Sequence, residues 1–218
     1  MHFKIIKKDT KTRARVGEIT LNGRKFETPI FMPVATSAAI KGLHTKDLVE
    51  SSNAEIILAN TYHLYLRPGD QIIKNCGGIH DFMSWDKLVL TDSGGYQVYS
   101  LSNNRKIKED GVKFKSHIDG SYHFFSPEKA IQIQKNIGAD IIMAFDECTP
   151  YPCTKDYARK SMNLTHRWLK RCISEFENTD KNRSREQFLF PIVQGSIYGD
   201  LRTAVSYTHL RAHETPIN

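Results

Sequence analysis

Short apolar segments alternate with helical segments along most of the chain, and this alternation limits the fold more than any other feature. The segments AEIILA at 54–59 and DIIMAF at 140–145 are apolar almost throughout, which is typical of strands that are covered on both faces. Segments with helical patterns and helix-cap residues lie between such strands. Strands that alternate with helices form parallel sheets, so the sequence predicts an α/β fold.

The same alternation predicts where the individual elements lie. Five strands are predicted, at 29–34, 54–59, 87–90, 140–145 and 188–193. Helices are predicted from Thr45 through Val49, at 68–74, at 126–138 and from Thr154 to Phe176. Two segments interrupt the alternation. The first is an N-terminal β-hairpin within 1–28, with Asn22-Gly23 as its turn. The second is an inserted hairpin near 105–125, with Asp119-Gly120 as its turn.

Composition restricts the class of protein. The chain has 218 residues, of which 39% are hydrophobic and 25% charged, as expected for a globular protein. The net charge of +7 favours an anionic partner such as nucleic acid. No segment reaches the ~20 apolar residues that cross a bilayer, and the basic N-terminus lacks the apolar core of a secretory signal. We therefore expect a cytoplasmic protein with no membrane partner, in which the four cysteines are free thiols.

Polar side chains follow four of the five predicted strands. Asn60 follows the second strand, Asp92 the third, Asp146 the fourth and Gln194 the fifth. The carboxyl ends of parallel strands share one edge of the sheet, and this edge carries the ligand sites of α/β proteins. The sequence therefore predicts a functional site at this edge.

The residue types at this edge predict an enzyme that acts on a planar polar ring. Two aspartates can serve as acid, base or nucleophile, while the amides of Asn60 and Gln194 can bind the edge of a heterocycle. Tyr96 follows Gly94-Gly95, where a ring can stack on such a base. The sequence contains no metal-binding HExxH or close Cys/His cluster and no phosphate-binding GxxxxGK[ST] motif.

Longer motifs resemble one family. The segments are FMPV at 31–34, ILANTYHLYLRPG at 57–69, TDSGGYQVYSL at 91–101, FSPEKAIQIQKNIGADIIMAFDECTPYP at 125–152 and IVQGS at 192–196. Together they resemble the bacterial type of tRNA-guanine transglycosylase, also called queuine tRNA-ribosyltransferase, from about Phe3 to Ala204. The resemblance implies a TIM-like (β/α)8 barrel, of which about the first five βα units are present here, preceded by the N-terminal β-hairpin.

The resemblance also implies an activity. Family members exchange guanine at the anticodon wobble position of tRNA for a 7-deazaguanine base in queuosine biosynthesis, through a covalent ribosyl-enzyme intermediate. It implies that Asp92 is the general acid/base. Asp146 would bind the N1/N2 edge of the base and Gln194 its O6, while Tyr96 would stack on its face. The partners implied are a tRNA with a guanine wobble base and the small 7-deazaguanine.

Four further residues take roles from the resemblance. Asn60 and Leu58 would lie near the ribose, and Ser93 would lie in the pocket beside Asp92. Cys148 would favour 7-aminomethyl-7-deazaguanine (preQ1) over the larger queuine base. In contrast, we interpret His63, Glu147 and Trp168 as structural residues.

The chain differs from the family pattern toward its C-terminus. The family carries its nucleophilic aspartate and a structural zinc site of three cysteines and one histidine further along. We therefore expect no nucleophile, metal site or cofactor in this chain, and an inactive fragment. The residues at 205–218 lack apolar periodicity and are interpreted as a non-native tail. The predicted organisation is thus an N-terminal β-hairpin extension at 1–28, a partial barrel at 29–204 and a non-native tail at 205–218. A homodimer is compatible with the full-length protein.

Two other functions are compatible with the residues. One is a non-catalytic RNA-binding relative of the same family. The other is an unrelated barrel hydrolase or lyase that uses Asp92 and Asp146. An acid/base at Asp92 favours the transglycosylase over a binder, and the lack of metal-ligand motifs argues against most hydrolases.

Overall fold

The computed structural model describes residues 1–101, 105–178 and 185–211 of the chain. These residues form two compact units. Unit 1 consists of Met1–Asp92, Ile133–Ile142 and the described part of 180–188. Unit 2 consists of the described parts of 93–132, 143–179 and 189–218.

Strands and helices alternate through much of the chain. The strands are β1 (His2–Lys8), β2 (Arg15–Leu21), β3 (Arg24–Thr28), β4 (Ile56–Ala59), β5 (Leu88–Thr91), β6 (Lys106–Lys108), β7 (Gly111–Lys115), β8 (Tyr122–Phe125), β9 (Ile141–Met143) and β10 (Phe188–Phe190). The helices are α1 (Thr45–Ser52), α2 (Thr61–Leu66), α3 (Asp70–Asn75), α4 (Ile79–Met83), α5 (Gly95–Leu101), α6 (Pro127–Ile137), α7 (Lys155–Asn178) and α8 (Gly199–Arg211).

The central sheet has the strand order β10-β9-β5-β4. β4 pairs in parallel with β5 over four residues, and β5 pairs in parallel with β9. Within unit 1 the Phe188 amide donates to the Asp140 carbonyl at 2.8 Å, and within unit 2 the Ala144 amide donates to the Phe190 carbonyl at 2.9 Å. The predicted α/β fold with a parallel sheet is confirmed.

The segment predicted as the first strand, 29–34, is less regular than expected. Its single ladder contact is a parallel bridge between Val34 and Leu58, flanked by a 2.9 Å hydrogen bond from the Leu58 amide to the Pro33 carbonyl. Pro29 and Pro33 have no N–H group to donate to a ladder, which explains why the pairing is so short. β9 and β10 are also shorter than predicted, with Pro191 directly after β10.

The N-terminal segment forms an antiparallel sheet of three strands, β1-β2-β3. β2 and β3 meet at the turn Asn22-Gly23, where both residues have positive φ angles of 48° and 74°, as a type I′ turn requires. Leu21 and Phe26 are the buried hydrophobic side chains of this sheet, and Gly17 is buried as well.

A second antiparallel sheet, β6-β7-β8, replaces the hairpin predicted near 105–125. The sequence prediction recognised one turn, at Asp119-Gly120, and missed a second turn between Lys108 and Gly111, because a strand of three residues has too little alternation to be recognised. Val112, Phe114 and Phe125 form the buried face.

Helix α8 extends across the predicted boundary after Ala204. Val205 is fully buried and packs with Leu201 and with Ala158 and Met162 of α7. The interpretation of 205–218 as a non-native tail stays a prediction, and residues 212–218 lie outside the described part of the chain. Among the described helices, none is both long and apolar enough to cross a membrane.

Candidate active site

The carboxylate of Asp92 is held by the end of the neighbouring strand. Asp92 directly follows β5, and its amide donates to the Ala59 carbonyl of β4 at 3.2 Å. The Thr61 amide donates to Asp92 Oδ1 at 2.9 Å, and the Asn60 side-chain amide donates to Oδ2. The Thr61 hydroxyl donates to the Asp92 carbonyl at 2.5 Å. Both the backbone and the side chain of Asp92 are therefore fixed within unit 1.

Two other predicted residues of unit 1 lie at the carboxyl end of β4, Leu58 within the strand and Asn60 directly after it. Asn60 is 7% exposed and contacts Asp92, as described above. Leu58 is half-buried in β4, and its carbonyl accepts a 2.7 Å hydrogen bond from the Ala35 amide. The structure thus brings Asn60 to the predicted acid/base, while the contacts of Leu58 are those of sheet pairing.

In unit 2, Asp146 is the centre of a second hydrogen-bonded cluster. The Ser93 hydroxyl donates to Asp146 Oδ1 at 2.8 Å, and the Gln194 side-chain amide donates to Oδ2 at 2.6 Å. The carboxylate is only 8% exposed. A buried charge needs such partners, because burial without them costs several kcal/mol. Three residues that lie far apart in the sequence therefore meet at one carboxylate.

Gly95 allows this cluster to form. Its amide donates to the Ser93 hydroxyl oxygen at 3.2 Å. A Cβ atom at this position would lie 2.7 Å from the Asp146 carbonyl oxygen and 3.1 Å from Asp146 Oδ1. The second glycine of the SGG sequence is thus needed for the close approach of α5 to Asp146.

Tyr96 is the second residue of α5 and directly follows Gly95. Its side chain is 60% exposed, and its ring lies 6.5 Å from that of Tyr99, with an angle of 34° between the planes. An exposed ring supported on one side by a second ring presents a surface on which a base can stack.

A pocket in unit 2 lies beside this cluster. It is lined by Gly95, Val98, Tyr99, Arg105, Ile107, Val112, Phe145, Asp146, Glu147 and Cys148. Burial, and next the charge of Asp146, raise the pKa of the Cys148 thiol. Cys148 therefore remains a protonated thiol near neutral pH, and it serves as a wall of the pocket and not as a nucleophile.

The sequence did not predict the buried contacts of Glu147. This residue is 7% exposed, its carboxylate accepts a 2.7 Å hydrogen bond from the Tyr157 hydroxyl, and its amide donates to the Thr165 hydroxyl oxygen at 3.1 Å. Burial, and next the bond to Glu147, raise the pKa of Tyr157 to about 12, so this hydroxyl remains a donor. Both partners lie on α7, so Glu147 faces this helix.

The described residues contain no group of three or more His, Cys, Asp or Glu side chains that could hold a metal ion. The four cysteines are all free.

Both units place a carboxylate after a parallel strand and hold it with amide or hydroxyl donors. These features define an α/β protein of the class that binds ligands at the carboxyl edge of a parallel sheet.

Comparison with known proteins identifies the family. A sequence model of the family described as queuine tRNA-ribosyltransferase matches residues 9–217. The chain is 56% identical over 200 residues to a queuine tRNA-ribosyltransferase of Caldanaerobacter subterraneus subsp. tengcongensis, with 92% of this chain and 52% of the relative covered. It is 54% identical over 207 residues to the protein of the same name from Acetivibrio thermocellus, with 95% of this chain and 54% of that relative covered. The chain belongs to the queuine tRNA-ribosyltransferase family.

The family predicted from the sequence motifs is therefore confirmed. The chain spans about half the length of the curated relatives that it matches.

Proposed function

We propose that the chain supplies base-binding and acid–base residues of a tRNA-guanine transglycosylase. This enzyme would exchange guanine at the anticodon wobble position of tRNA for a 7-deazaguanine base, a step in queuosine biosynthesis. The observation that carries the proposal is the buried carboxylate of Asp146, held between the Ser93 hydroxyl and the Gln194 amide. The relatives named queuine tRNA-ribosyltransferase support the same reaction.

The Asp146 cluster has the hydrogen-bonding groups that a guanine-like base requires. A carboxylate accepts about four hydrogen bonds, and in this proposal Asp146 accepts bonds from N1–H and N2–H of the base. A side-chain amide nitrogen has two hydrogens. Gln194 donates one of them to Asp146, and the second is available for O6. Tyr96 stacks on the face of the bound base.

Asp92 acts as the general acid/base in this proposal. A carboxylate nucleophile outside the chain attacks C1′ of the ribose, and the bond from C1′ to N9 breaks as guanine leaves with a proton from Asp92. The incoming base then gives its N9 proton to Asp92 and bonds to C1′ as the nucleophile departs. Carboxylates are suited to both tasks, because they trap oxocarbenium-like states and transfer protons.

The target base must leave the stacked anticodon loop before it can be bound. Leu58 and Asn60 are then proposed to lie near the ribose, with Asn60 also orienting Asp92 through their hydrogen bond. Cys148 is proposed to favour preQ1 as the incoming base, since the half-buried thiol occupies part of the pocket wall.

The finer architecture is proposed from the family. The parallel sheet β10-β9-β5-β4 and the bridge at Val34 fit five βα units of a (β/α)8 barrel, preceded by the β-hairpin of the N-terminus. We place the nucleophile and a structural zinc site in the part of the family that lies beyond this chain. We propose that the full-length protein is cytoplasmic, because its substrate tRNA is cytoplasmic, and a homodimer is compatible with this proposal.

The test is base exchange in a chimera that joins residues 1–204 to the remaining part of the Caldanaerobacter relative. Labelled guanine should enter tRNA with the parent chimera, and Asp92→Asn should abolish this exchange. The asparagine can still accept the bond from the Thr61 amide, but it cannot transfer a proton. Affinity for tRNA depends mainly on phosphate contacts and should remain unchanged. Exchange near the parent rate in Asp92→Asn would show that another group is the acid/base.

Asp146→Asn tests base recognition separately. It should weaken binding of free guanine by roughly 2 kcal/mol or more, because an amide replaces a charged acceptor. The matched control is Asp156→Asn, which removes an exposed carboxylate from α7 and should change neither binding nor exchange. Equal guanine affinity in both variants would remove Asp146 from the base site.

A further inference from the structure

The outer face of the β6–β8 sheet combines lysines with exposed aromatic rings. Side chains two residues apart point to the same face of a strand. The buried residues of β7 and β8 alternate with the residues of this outer face, which are Lys106, Lys108, Lys113, Lys115, Tyr122 and Phe124. We call this set the basic sheet face.

Strand pairing places these side chains next to one another. Lys106 pairs with Lys113, Lys113 pairs with Phe124, and Lys115 pairs with Tyr122. The Nζ atoms of Lys113 and Lys115 lie 4.7 Å and 5.0 Å from the centre of the Tyr122 ring. Cation–π contacts of this kind hold the two ammonium groups over the sheet, although like charges on adjacent strands repel.

Two acidic residues at the turns of this sheet, Glu109 and Asp119, are engaged elsewhere, and a third, Asp110, is exposed in the turn before β7. Glu109 accepts two hydrogen bonds from the Arg167 guanidinium of α7, at 2.7 Å and 2.8 Å. Asp119 accepts bonds from the hydroxyl and amide of Ser121. The basic sheet face itself contains four lysines and no carboxylate.

The exposed rings add a second kind of contact. Tyr122 is 62% exposed and Phe124 is 42% exposed. The Phe124 ring lies over Gly111, where a Cβ atom would come within 2.9 Å of it. Phe124 is therefore supported from below and open to solvent above, as a platform for a stacked base requires.

The opposite face of the same sheet contributes to the pocket beside Asp146. Ile107 and Val112 line this pocket together with Asp146 and Cys148. The strands that carry the lysines thus also form a wall of the proposed base site, within a single unit.

We propose that the basic sheet face binds single-stranded nucleotides of the RNA whose base enters the Asp146 pocket. The lysines contact phosphates, and Phe124 stacks on an unpaired base. This combination of a basic surface with aromatic platforms is the chemistry that recognises single-stranded RNA. The inference rests on the proposed function, because it takes the substrate to be tRNA.

The test measures binding of an anticodon stem-loop RNA to the 218-residue chain by fluorescence anisotropy at several salt concentrations. The charge variant is Lys106→Gln/Lys108→Gln/Lys113→Gln. Its matched control is Lys4→Gln/Lys7→Gln/Lys8→Gln, which removes the same charge from three exposed lysines of β1. Circular dichroism verifies the fold of each protein.

The charge variant should bind the stem-loop at least about tenfold more weakly at 0.1 M salt. Because three single-strand phosphate contacts are lost, the steepness of log affinity against log salt should also fall by about 2. The control should lose much less. Phe124→Ala should weaken binding roughly five- to 150-fold with an unchanged salt slope, since stacking and not charge is removed.

Other outcomes overturn the proposal. The first is that the parent chain does not bind the stem-loop, and the second is that the control loses as much affinity as the charge variant. The third is that the charge variant loses as much affinity for a blunt RNA duplex, or for phosphatidylserine vesicles, as it loses for the stem-loop. An equal loss of duplex binding would assign the face to duplex RNA, and an equal loss of vesicle binding would assign it to a membrane surface. Binding of free guanine does not involve this face, so a loss of stem-loop binding with normal guanine binding would leave the proposed function intact.

Discussion

At the scale of single residues, Asp92 and Asp146 are held in different ways. Asp92 accepts a bond from the backbone amide of Thr61, a donor fixed by the start of α2, and another from the rotatable side-chain amide of Asn60. Asp146 accepts bonds from the rotatable side chains of Ser93 and Gln194. The fixed donor at Asp92 suits a group that must transfer a proton in one geometry.

Tyr96 provides a residue-scale prediction for base binding. Tyr96→Ala should weaken binding of the free base by about 1–3 kcal/mol, because stacking on the exposed ring is lost. Tyr96→Phe keeps the ring and should bind nearly as well as the parent. Titration of the chimera with preQ1 measures the difference, and equal affinity of the alanine variant would place Tyr96 outside the site.

Gly95 predicts the effect of a single added methyl group. Gly95→Ala should destabilise the protein by about 1–3 kcal/mol, because its Cβ would lie 2.7 Å from the Asp146 carbonyl. It should also weaken base binding, since Asp146 must shift. The control is Gly199→Ala, where a Cβ atom meets nothing within 4 Å. Denaturant unfolding of both variants tests this; equal stability would contradict the close approach.

At the scale of elements, helix α7 holds the residues on both sides of Asp146. The Phe145 amide donates to the Cys172 sulfur at 3.4 Å, and the Glu147 amide donates to Thr165. The Phe145 ring stacks on Trp168, with ring centres 5.0 Å apart. Burial raises the pKa of Cys172 to about 12, so this thiol is a neutral packing group. Helix α7 therefore positions Asp146 by holding its two neighbours in the chain, Phe145 and Glu147.

Trp168 is the largest residue in the contact between α7 and the chain around Asp146. Its removal therefore measures how much α7 contributes to stability. Trp168→Ala should reduce the free energy of unfolding by about 3–5 kcal/mol, since the fully buried indole leaves a cavity. It also removes the 2.7 Å bond from the indole N–H to the Glu109 carbonyl. Tyr151→Ala, at a 76% exposed ring, serves as the control. A loss below about 1 kcal/mol for Trp168→Ala would show that α7 is not needed to hold this region.

At the scale of the whole molecule, stability should depend on a fully buried carboxylate. Asp140 accepts hydrogen bonds from the Asn22 side chain at 2.6 Å and the Val89 amide at 2.8 Å. His80 Nε2 lies 3.1 Å away, and an Arg185 nitrogen 3.5 Å away. Burial alone would raise the pKa of Asp140, but the contact with His80 and the bonds from Val89 and Asn22 outweigh it and lower the pKa from its ordinary value of 3.8.

The sign of this shift predicts acid sensitivity. Because the folded protein binds the proton less readily than the unfolded chain, Asp140 contributes stability above about pH 4 and loses it as the pH falls through the lowered pKa. Asp140→Asn should cost about 3–5 kcal/mol at neutral pH and flatten this part of the pH profile. The control is Asp86→Asn, which removes an ion-paired aspartate whose side chain is 79% exposed. It should lower the free energy of unfolding by at most about 1 kcal/mol. Urea unfolding between pH 3 and 7 measures the free energy of unfolding of each variant. Parallel pH profiles for the parent and Asp140→Asn would show that Asp140 is not the source of the acid sensitivity.

The sequence by itself predicted the parallel α/β fold and the family. Both depend on information that is local in the chain: apolar runs such as 54–59 form buried strands, and long motifs such as 125–152 identify relatives. It also predicted Asp92 and Asp146 as strand-end residues, because the residue after an apolar run can be read directly.

Contacts between distant residues could only come from the tertiary structure. The sequence did not reveal that Asn60 contacts Asp92, that Gln194 and Ser93 meet at Asp146, or that Tyr157 donates to Glu147. It also missed the third strand of the β6–β8 sheet, and with it the basic sheet face. Local pattern fixes which residues form a strand or helix, but which side chains meet depends on how these elements pack, and packing brings together residues separated by tens of positions in the chain.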